Sequence, residues 1–325
     1  MSELLQPVNA NTANHISYIQ LMALAKRYKE QFPETMNILD ISGVSPFGTR
    51  DMINPYTQVV DSEDFSNIGR HCMAVASTAE KIAYHLLAGG GSIDQIQVNG
   101  IITAAILHDG DKRLEVMRKK AKNAGVLDAA GNPIDVYGEA GYATIATVFS
   151  NEGVDPSILT AIKNMGGMTA HNSVKKFITM QDGEVVLNPE RTLAEMIVHI
   201  ADDMTHSPNP DIDNATIVTN FEERARLGKF QERYSFLWQE GLAIPNDGQI
   251  RDIRDIASHD GVSESEITLN YYDGAKLAFH LICSYIQKLV DPMSHVDSLD
   301  FVVGLVNSNI PNIQNGVSKQ AGKIF

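Results

Sequence analysis

The chain has 325 residues, of which 43% are hydrophobic and 20% are charged, and its formal net charge is −14. This composition predicts a globular protein, and no stretch is apolar for long enough to predict a membrane span. The negative charge argues against a general nucleic-acid binder, because affinity for the phosphate backbone comes from clustered lysine and arginine. We therefore expect a small anionic substrate that is held by a local group of cations. The first residues carry no export signal, so a cytoplasmic protein is expected.

Helical periodicity dominates the sequence, and it predicts a mostly α fold. Turn residues around Gly131 predict a short hairpin or a loop over residues 126–138, and Asp182-Gly183 predicts a hairpin over residues 177–189. Apolar residues recur at three- and four-residue steps in residues 15–32, 69–88, 99–125, 140–153, 192–207 and 273–290.

The segment "AAILHDGDKR", residues 104–113, leads an apolar helical face into adjacent His108 and Asp109. Adjacent side chains cannot both point along one face of an interior helical turn, so a helix end or a distortion is expected here. Taken alone, such a pair is typical of a solvated helix terminus. A functional interpretation therefore depends on other histidines and carboxylates of the chain.

Two further segments place metal-ligating side chains at the ends of helices. "RHCMAVASTAEKIA" puts His71 near the start of an amphipathic helix, and "HIADDM" puts Asp202 at the end of another. Together with His108 and Asp109 they supply two imidazoles and two carboxylates. This donor set suits a divalent first-row metal and leaves coordination positions for water and substrate. Water on such a metal loses a proton near neutral pH and becomes a nucleophile.

The order His, then His-Asp, then Asp resembles the HD superfamily of metal-dependent phosphohydrolases. The resemblance covers residues 60–207 and implies a helical HD-type metal-binding core there. Residues 1–59 would then form an N-terminal helical extension, and residues 208–325 a C-terminal helical region and tail packed on the core. Matched one by one to the motif of the superfamily, the implied metal ligands are His71, His108, Asp109 and Asp202.

Lys112 matches the lysine that follows His-Asp in a frequent form of the superfamily, where it contacts the substrate phosphate. A cation one helical turn from the metal ligands would also neutralise charge that develops on a transferring phosphoryl group. A solvated surface lysine is the alternative interpretation.

Other residues near these motifs are candidates for proton transfer and substrate binding. Asp111 and Asp203 would serve as a general acid if burial raises the pKa of either carboxyl group. His199 shares a helical face with Asp202. It would either support or bind the metal there, or be a buried structural histidine. The candidate substrate-binding residues are Lys112, Arg113, His171, Lys175 and His206.

The number of metal ions is predicted from the region between the His-Asp pair and the last aspartate. Two-metal members of the superfamily supply additional histidines there, whereas this chain has Glu139, Asn164 and then His171. One divalent transition metal is therefore expected, and Mn, Fe, Co, Ni and Zn all remain open. Glu139 and His171 would be the donors for a second ion.

The predicted function is the metal-dependent hydrolysis of a phosphate ester in a small metabolite, with a nucleotide favoured as substrate. A diiron oxygenase of the HD type is one alternative, which the missing histidines weaken. A non-catalytic nucleotide-binding regulatory protein is the other. Neither a nucleic acid nor a membrane is expected as a partner, and a homo-oligomer remains open. Cys72 and Cys283 lack CxxC spacing, which favours two reduced core thiols.

Overall fold

The structure is a computed structural model, and its described part is mostly helical, as the apolar periodicity predicts. The predicted helix over residues 140–153 lies outside that part. None of the helices described is both long enough and apolar enough to cross a bilayer. The residues described are 14–48, 50–89, 93–128, 130–134, 177–181, 184–206, 215–217, 242–243, 251–252 and 278–310.

The helix pair around the His-Asp motif confirms the expected helix end, because one helix stops before His108 and the next begins at Lys112. Residues 278–290 are also helical. The other helices are numbered in chain order, and α4 and α5 are the pair around His108. They are α1 (Tyr18–Gln31), α2 (Pro33–Ser42), α3 (Ser66–Ala88), α4 (Gln95–Leu107), α5 (Lys112–Asn123), α6 (Leu193–Met204) and α7 (Ser298–Asn307).

Reciprocal capping boxes fix where several helices begin. In each box the cap side chain accepts a hydrogen bond from the backbone N–H of the third helical residue, and the side chain of that residue accepts one from the cap N–H. Both α4 and α6 start in this way, which sets the register in which their C-terminal ends reach the site. The boxes pair Ser17 with Gln20 in α1, Asp94 with Gln97 in α4, and Thr192 with Glu195 in α6.

Helix α3 lies at the centre of the described helices and packs against α1, α4, α6 and α7, while α4 also packs against α6. Small side chains lie fully buried where these helices meet, including Ala76 and Ala79 of α3, Ala105 of α4 and Ala201 of α6. Small residues allow helix backbones to approach closely. The polar ends of α3, α4 and α6 are thereby brought to one place.

The strands are short and antiparallel. The hairpin that Asp182-Gly183 predicts is confirmed, because β4 (Ile178–Gln181) pairs with β5 (Glu184–Leu187). The turn near Gly131 is also present, closed by a single antiparallel bridge between Leu127 and Pro133. The other strands are β1 (Asn14–Ile16), β2 (Met52–Ile53), β3 (Val60–Asp61), β6 (Thr205–His206), β7 (Ala215–Ile217), β8 (Leu242–Ala243) and β9 (Arg251–Asp252).

A polar cluster around buried Glu80 joins α1 to α3, and we call its three residues, Arg27, Tyr28 and Glu80, the Glu80 cluster. Arg27 donates from Nη1 to Oε1 of Glu80 at 2.9 Å and from Nη2 to Oε2 at 2.5 Å. The Tyr28 hydroxyl donates to Oε2 of Glu80 at 2.8 Å. Both carboxylate oxygens therefore have donors, which is what a buried charge requires.

Gly69 sets the distance between α3 and the segment that follows α2. A Cβ atom at this position would lie 2.1 Å from the backbone oxygen of Val44 and 2.5 Å from the backbone nitrogen of Pro46. Both atoms belong to the backbone and cannot rotate away as a side chain can. The helix and this segment are therefore in direct backbone contact two residues before His71.

Candidate metal centre

Three helices each bring one donor side chain to the same point. His71 lies in the second turn of α3, His108 is the C-cap residue of α4, and Asp202 lies in the last turn of α6. The ligand atoms of these three side chains all lie within 4.8 Å of one another. Three of the four predicted metal ligands are therefore close enough to share one ion.

Asp202 is at the middle of this group. Its Oδ1 atom lies 3.0 Å from Nε2 of His71 and 3.6 Å from Nε2 of His108. The two imidazole rings meet edge to face, with centroids 5.3 Å apart and an interplanar angle of 60°. Both Nε2 atoms thus approach the same carboxylate oxygen, as ligands that converge on one ion would.

The tautomer of His108 follows from its hydrogen bond. Nδ1 lies 2.8 Å from the backbone oxygen of Ala105, and since a carbonyl can only accept, Nδ1 carries the proton. In the neutral ring Nε2 then has the free lone pair that a metal needs. Nε2 is buried, and no hydrogen-bond partner for it is found in the described part of the chain. A buried polar atom without a partner is rare in native proteins, and an ion bound at Nε2 would supply the partner.

Asp109 borders the group. Its Oδ2 atom lies 3.7 Å from Nε2 of His108, and its side chain is 24% exposed. Burial raises the pKa of Asp109, but the positive charges of His108 and Lys112 lower it more, so the pKa lies below its usual value. Burial lowers the pKa of His108, while Cys72 and Asp109 raise it more, so this pKa lies above its usual value. A role for Asp109 as the fourth ligand remains a prediction.

Lys112 begins α5 directly after this group. Its backbone N–H donates to the oxygen of Asp109 at 3.1 Å, and its ammonium lies 3.0 Å from Oε2 of Glu115. Burial lowers the pKa of Lys112, but the carboxylates of Glu115 and Asp109 raise it more, so the pKa lies above the ordinary lysine value. The Lys112 side chain as a whole is 37% exposed.

The chain matches no model of a known protein family, no curated protein and no solved structure. The chemical character of the site therefore rests on its own donors. Two imidazole nitrogens and one or two carboxylates form a mixed nitrogen and oxygen set, which fits Mn, Fe, Co, Ni or Zn better than Mg or Ca.

The two candidate general acids have different surroundings. Asp111 is fully buried, and neither carboxylate oxygen has a hydrogen-bond partner in the described residues. Burial, with added repulsion from Glu115, raises the pKa of Asp111 to about 6. Asp203 is also buried, and its Oδ2 lies 3.3 Å from Nε2 of His199, whose ring stacks on Phe177. His199 thus supports Asp203, the neighbour of a ligand in sequence.

Arg113 is a predicted substrate-binding residue, but the structure places its side chain in the interior. Its guanidinium donates to the backbone oxygen of Arg50 at 2.6 Å and to the backbone oxygen of Asp61 at 2.7 Å. It also contacts Oδ1 of Asp61 at 3.2 Å, and its side chain is 0% exposed. These bonds join α5 to the β2–β3 hairpin. A substrate contact for Arg113 remains a prediction that these bonds do not support.

The remaining predicted substrate-binding residues have no described side chains. His171 and Lys175 lie outside the described residues, as do Glu139 and Asn164, where a second metal would find donors. The backbone of His206 belongs to β6, whose partner is β7. Substrate contacts from His171, Lys175 and His206 remain predictions.

The sequence interpretation missed two neighbours of the site. Cys72, which is predicted as a core thiol, is indeed free and fully buried, but it lies beside His108 and the backbone of Asp109. Its position directly after His71 is the signal that was available in the sequence. Glu115, the partner of Lys112, lies three residues further on in the same helix, a spacing that predicts such a contact.

Proposed function

We propose that the chain is a metal-dependent phosphohydrolase of the HD type that acts on a small phosphorylated metabolite. The observation that carries this proposal is the convergence of His71, His108 and Asp202 within 4.8 Å, with Nε2 of buried His108 left without a hydrogen bond in the described chain. Such a group at the ends of three packed helices is what the resemblance to the superfamily predicts.

The residues of the site have separate roles in this proposal. His71, His108 and Asp202 hold one divalent ion, and Asp109 is the fourth donor. When bound, the ion supplies an activated water and polarises a phosphoryl oxygen. The hydrogen bond from Nδ1 of His108 to Ala105 keeps the ring in the orientation and tautomer that binding needs.

Lys112 provides the positive charge for the substrate. Its side chain is partly exposed, and it follows Asp109 by three residues. A charge-assisted hydrogen bond to a phosphate oxygen stabilises negative charge that grows in the transition state. In a chain with a net charge of −14, such a local cation explains how an anionic substrate is attracted. A nucleotide is the substrate that the resemblance favours.

The test is a screen of the purified chain against phosphorylated metabolites, with metal content measured by elemental analysis. We expect close to one transition-metal ion per chain and metal-dependent release of phosphate or a phosphorylated product. Asp109→Ala is expected to lower both metal content and activity, since it removes a charged donor.

Three results would contradict parts of this proposal. Ligand binding without any turnover across the screen would favour a non-catalytic regulatory protein. Two tightly held iron ions per chain with a colour change on oxidation would favour a diiron oxygenase. Full metal occupancy in Asp109→Ala would remove Asp109 from the ligand set.

A further inference from the structure

Glu115 is a buried carboxylate that holds two lysines of its own helix, and we call these three residues the Glu115 triad. Glu115 is 3% exposed. Its Oε2 lies 3.0 Å from Nζ of Lys112, and its Oε1 lies 2.7 Å from Nζ of Lys119. Each lysine thus has its own oxygen, so neither contact needs the other to form.

The charges of the triad do not cancel. Burial raises the pKa of Glu115, but the positive charges of Lys112 and Lys119 lower it more, so the carboxylate stays ionised. One ammonium is enough to neutralise one carboxylate. Counted alone, the triad carries one positive charge in excess, and this charge lies near the carboxylates of Asp109 and Asp111, which also act on Lys112.

Release of Lys112 to another anion depends on what remains with Glu115. A buried carboxylate that loses its only cation is strongly destabilised, because its charge is then uncompensated. Here Lys119 lies 2.7 Å from the other oxygen, so its contact with Glu115 does not require Lys112. The second lysine thus lowers the free energy needed to transfer Lys112 from Glu115 to a substrate.

We propose that Glu115 and Lys119 are positioning residues that make Lys112 available to the phosphate of the substrate. This inference rests on the proposed function of the site. Glu115 holds the ammonium of Lys112 next to the metal centre before substrate binds, and Lys119 neutralises Glu115 once Lys112 has turned to the phosphate.

A purely structural triad makes a different prediction. Pairs of opposite charge at three- and four-residue spacing on a helix contribute a little to stability. Removal of Lys119 would then change the thermal midpoint of unfolding. It would lower phosphate affinity only as much as the loss of any other surface charge does. Phosphate affinity therefore separates the two interpretations.

The experiment measures the affinity of the full chain, supplied with Mn²⁺, for inorganic phosphate by titration calorimetry. Lys119→Met is expected to weaken phosphate binding about three- to tenfold more than the matched control does, the size of a typical coupling between groups in contact. The control is Lys122→Met, which removes the same charge from an exposed position of the same helix. Lys119→Arg keeps the cation and is expected to restore affinity.

A double-mutant cycle then tests whether Lys119 acts through Glu115. In a Glu115→Gln background the charge that Lys119 neutralises is absent, so Lys119→Met should have no effect beyond that of Lys122→Met. An unchanged effect of Lys119→Met in that background would overturn the inference, as would equal affinities of Lys119→Met and Lys122→Met. The thermal midpoint of each variant is recorded so that loss of folding is recognised.

Failure of the proposed function has a separate signature. If the wild-type chain with Mn²⁺ binds no phosphate, or if Lys112→Met binds it as tightly as the wild type, the role of Lys112 is wrong and the inference is overturned with it. If Lys112→Met weakens binding while Lys119→Met matches its control, only the inference about Glu115 and Lys119 is wrong.

Discussion

Helix α3 carries two polar side chains, buried Glu80 and half-buried His71, whose surroundings differ. Glu80 faces α1, where Arg27 and Tyr28 supply three donors to its two oxygens. His71, nine residues earlier, faces α4 and α6, where it meets Asp202 and a second histidine whose Nε2 has no hydrogen bond in the described chain. The Glu80 cluster satisfies its own polar atoms, whereas the group around His71 leaves Nε2 of His108 available to a metal ion.

This difference is what a bound ion at the candidate metal centre would remove. Buried polar groups are satisfied in most native proteins because an unmade hydrogen bond costs about 1–3 kcal/mol. The Glu80 cluster meets that rule with side chains alone. At the candidate metal centre, Nε2 of His108 lies 3.6 Å from Oδ1 of Asp202 without a hydrogen bond, an arrangement that a bound ion would complete.

The largest effect is expected at the candidate metal centre. Asp202→Ala removes the oxygen that both imidazoles approach, and we expect metal affinity to fall by more than about 100-fold, since loss of outer partners alone costs 10–100-fold. Asp109→Ala, whose carboxylate lies at the border, should cost less. Competition with a fluorescent chelator measures both variants. A smaller loss of metal affinity for Asp202→Ala than for Asp109→Ala would show that Asp109 is the more important ligand of the two.

The Glu80 cluster should respond in the opposite way. Glu80→Gln leaves the guanidinium of Arg27 without its counter-ion, and we expect the free energy of unfolding to fall by about 2–3 kcal/mol while metal affinity is unchanged. The side chain of Arg27 is 36% exposed, so water offsets part of the loss. Urea unfolding measures the change.

Tyr28→Phe is the matched control for this cluster, since it removes one hydrogen bond and no charge. Its expected cost is smaller, about 1.5 kcal/mol. Altered metal affinity in Glu80→Gln would show that the two clusters on α3 are coupled and would weaken the comparison.

The contacts of Asp61 with Lys120 and Arg113 are tested through their dependence on pH. Burial raises the pKa of Asp61, but contacts with Lys120, the Glu63 backbone and Arg113 lower it more, so the folded pKa lies below the ordinary value of 3.8. A depressed carboxylate pKa contributes stability that is present above the unfolded pKa and is lost as pH falls through the folded one. The difference in unfolding free energy between wild type and Asp61→Asn should therefore be constant near neutral pH and shrink below about pH 4.

Urea unfolding over a pH series measures this smallest effect. Asp51→Asn, at an exposed position beside the same hairpin, provides the control and should follow the wild-type profile. A difference for Asp61→Asn that does not change with pH would show that its contacts stabilise the fold without favouring the ionised form.

The sequence predicts those parts of the molecule that depend on local rules. Capping residues and apolar periodicity define α4 and α6, and the adjacent pair His108-Asp109 predicts the helix end found there. The Asp182-Gly183 turn predicts the β4–β5 hairpin. Three of the four predicted ligands then meet because α3, α4 and α6 pack together.

Other features depend on contacts between distant parts of the chain. The sequence places Arg113 beside Lys112 and predicts that it binds substrate. Its side chain is instead buried against Arg50 and Asp61, which lie more than fifty residues earlier. No periodicity encodes such a contact. The position of Cys72 directly after His71 indicates that it lies near the candidate site, but its contact with His108 also depends on how α3 and α4 cross.

The tight contact at Gly69 has a consequence for sequence variation. Even the methyl group of alanine would overlap the backbone of residues 44 and 46, so any residue other than glycine at position 69 requires this backbone or α3 to shift. Any larger residue would have to displace α3, and His71 lies two positions along the same helix. Position 69 supplies no ligand atom, yet we expect it to tolerate substitution as poorly as the candidate ligand His71. In a saturation library selected for function, variants at both positions should be lost together.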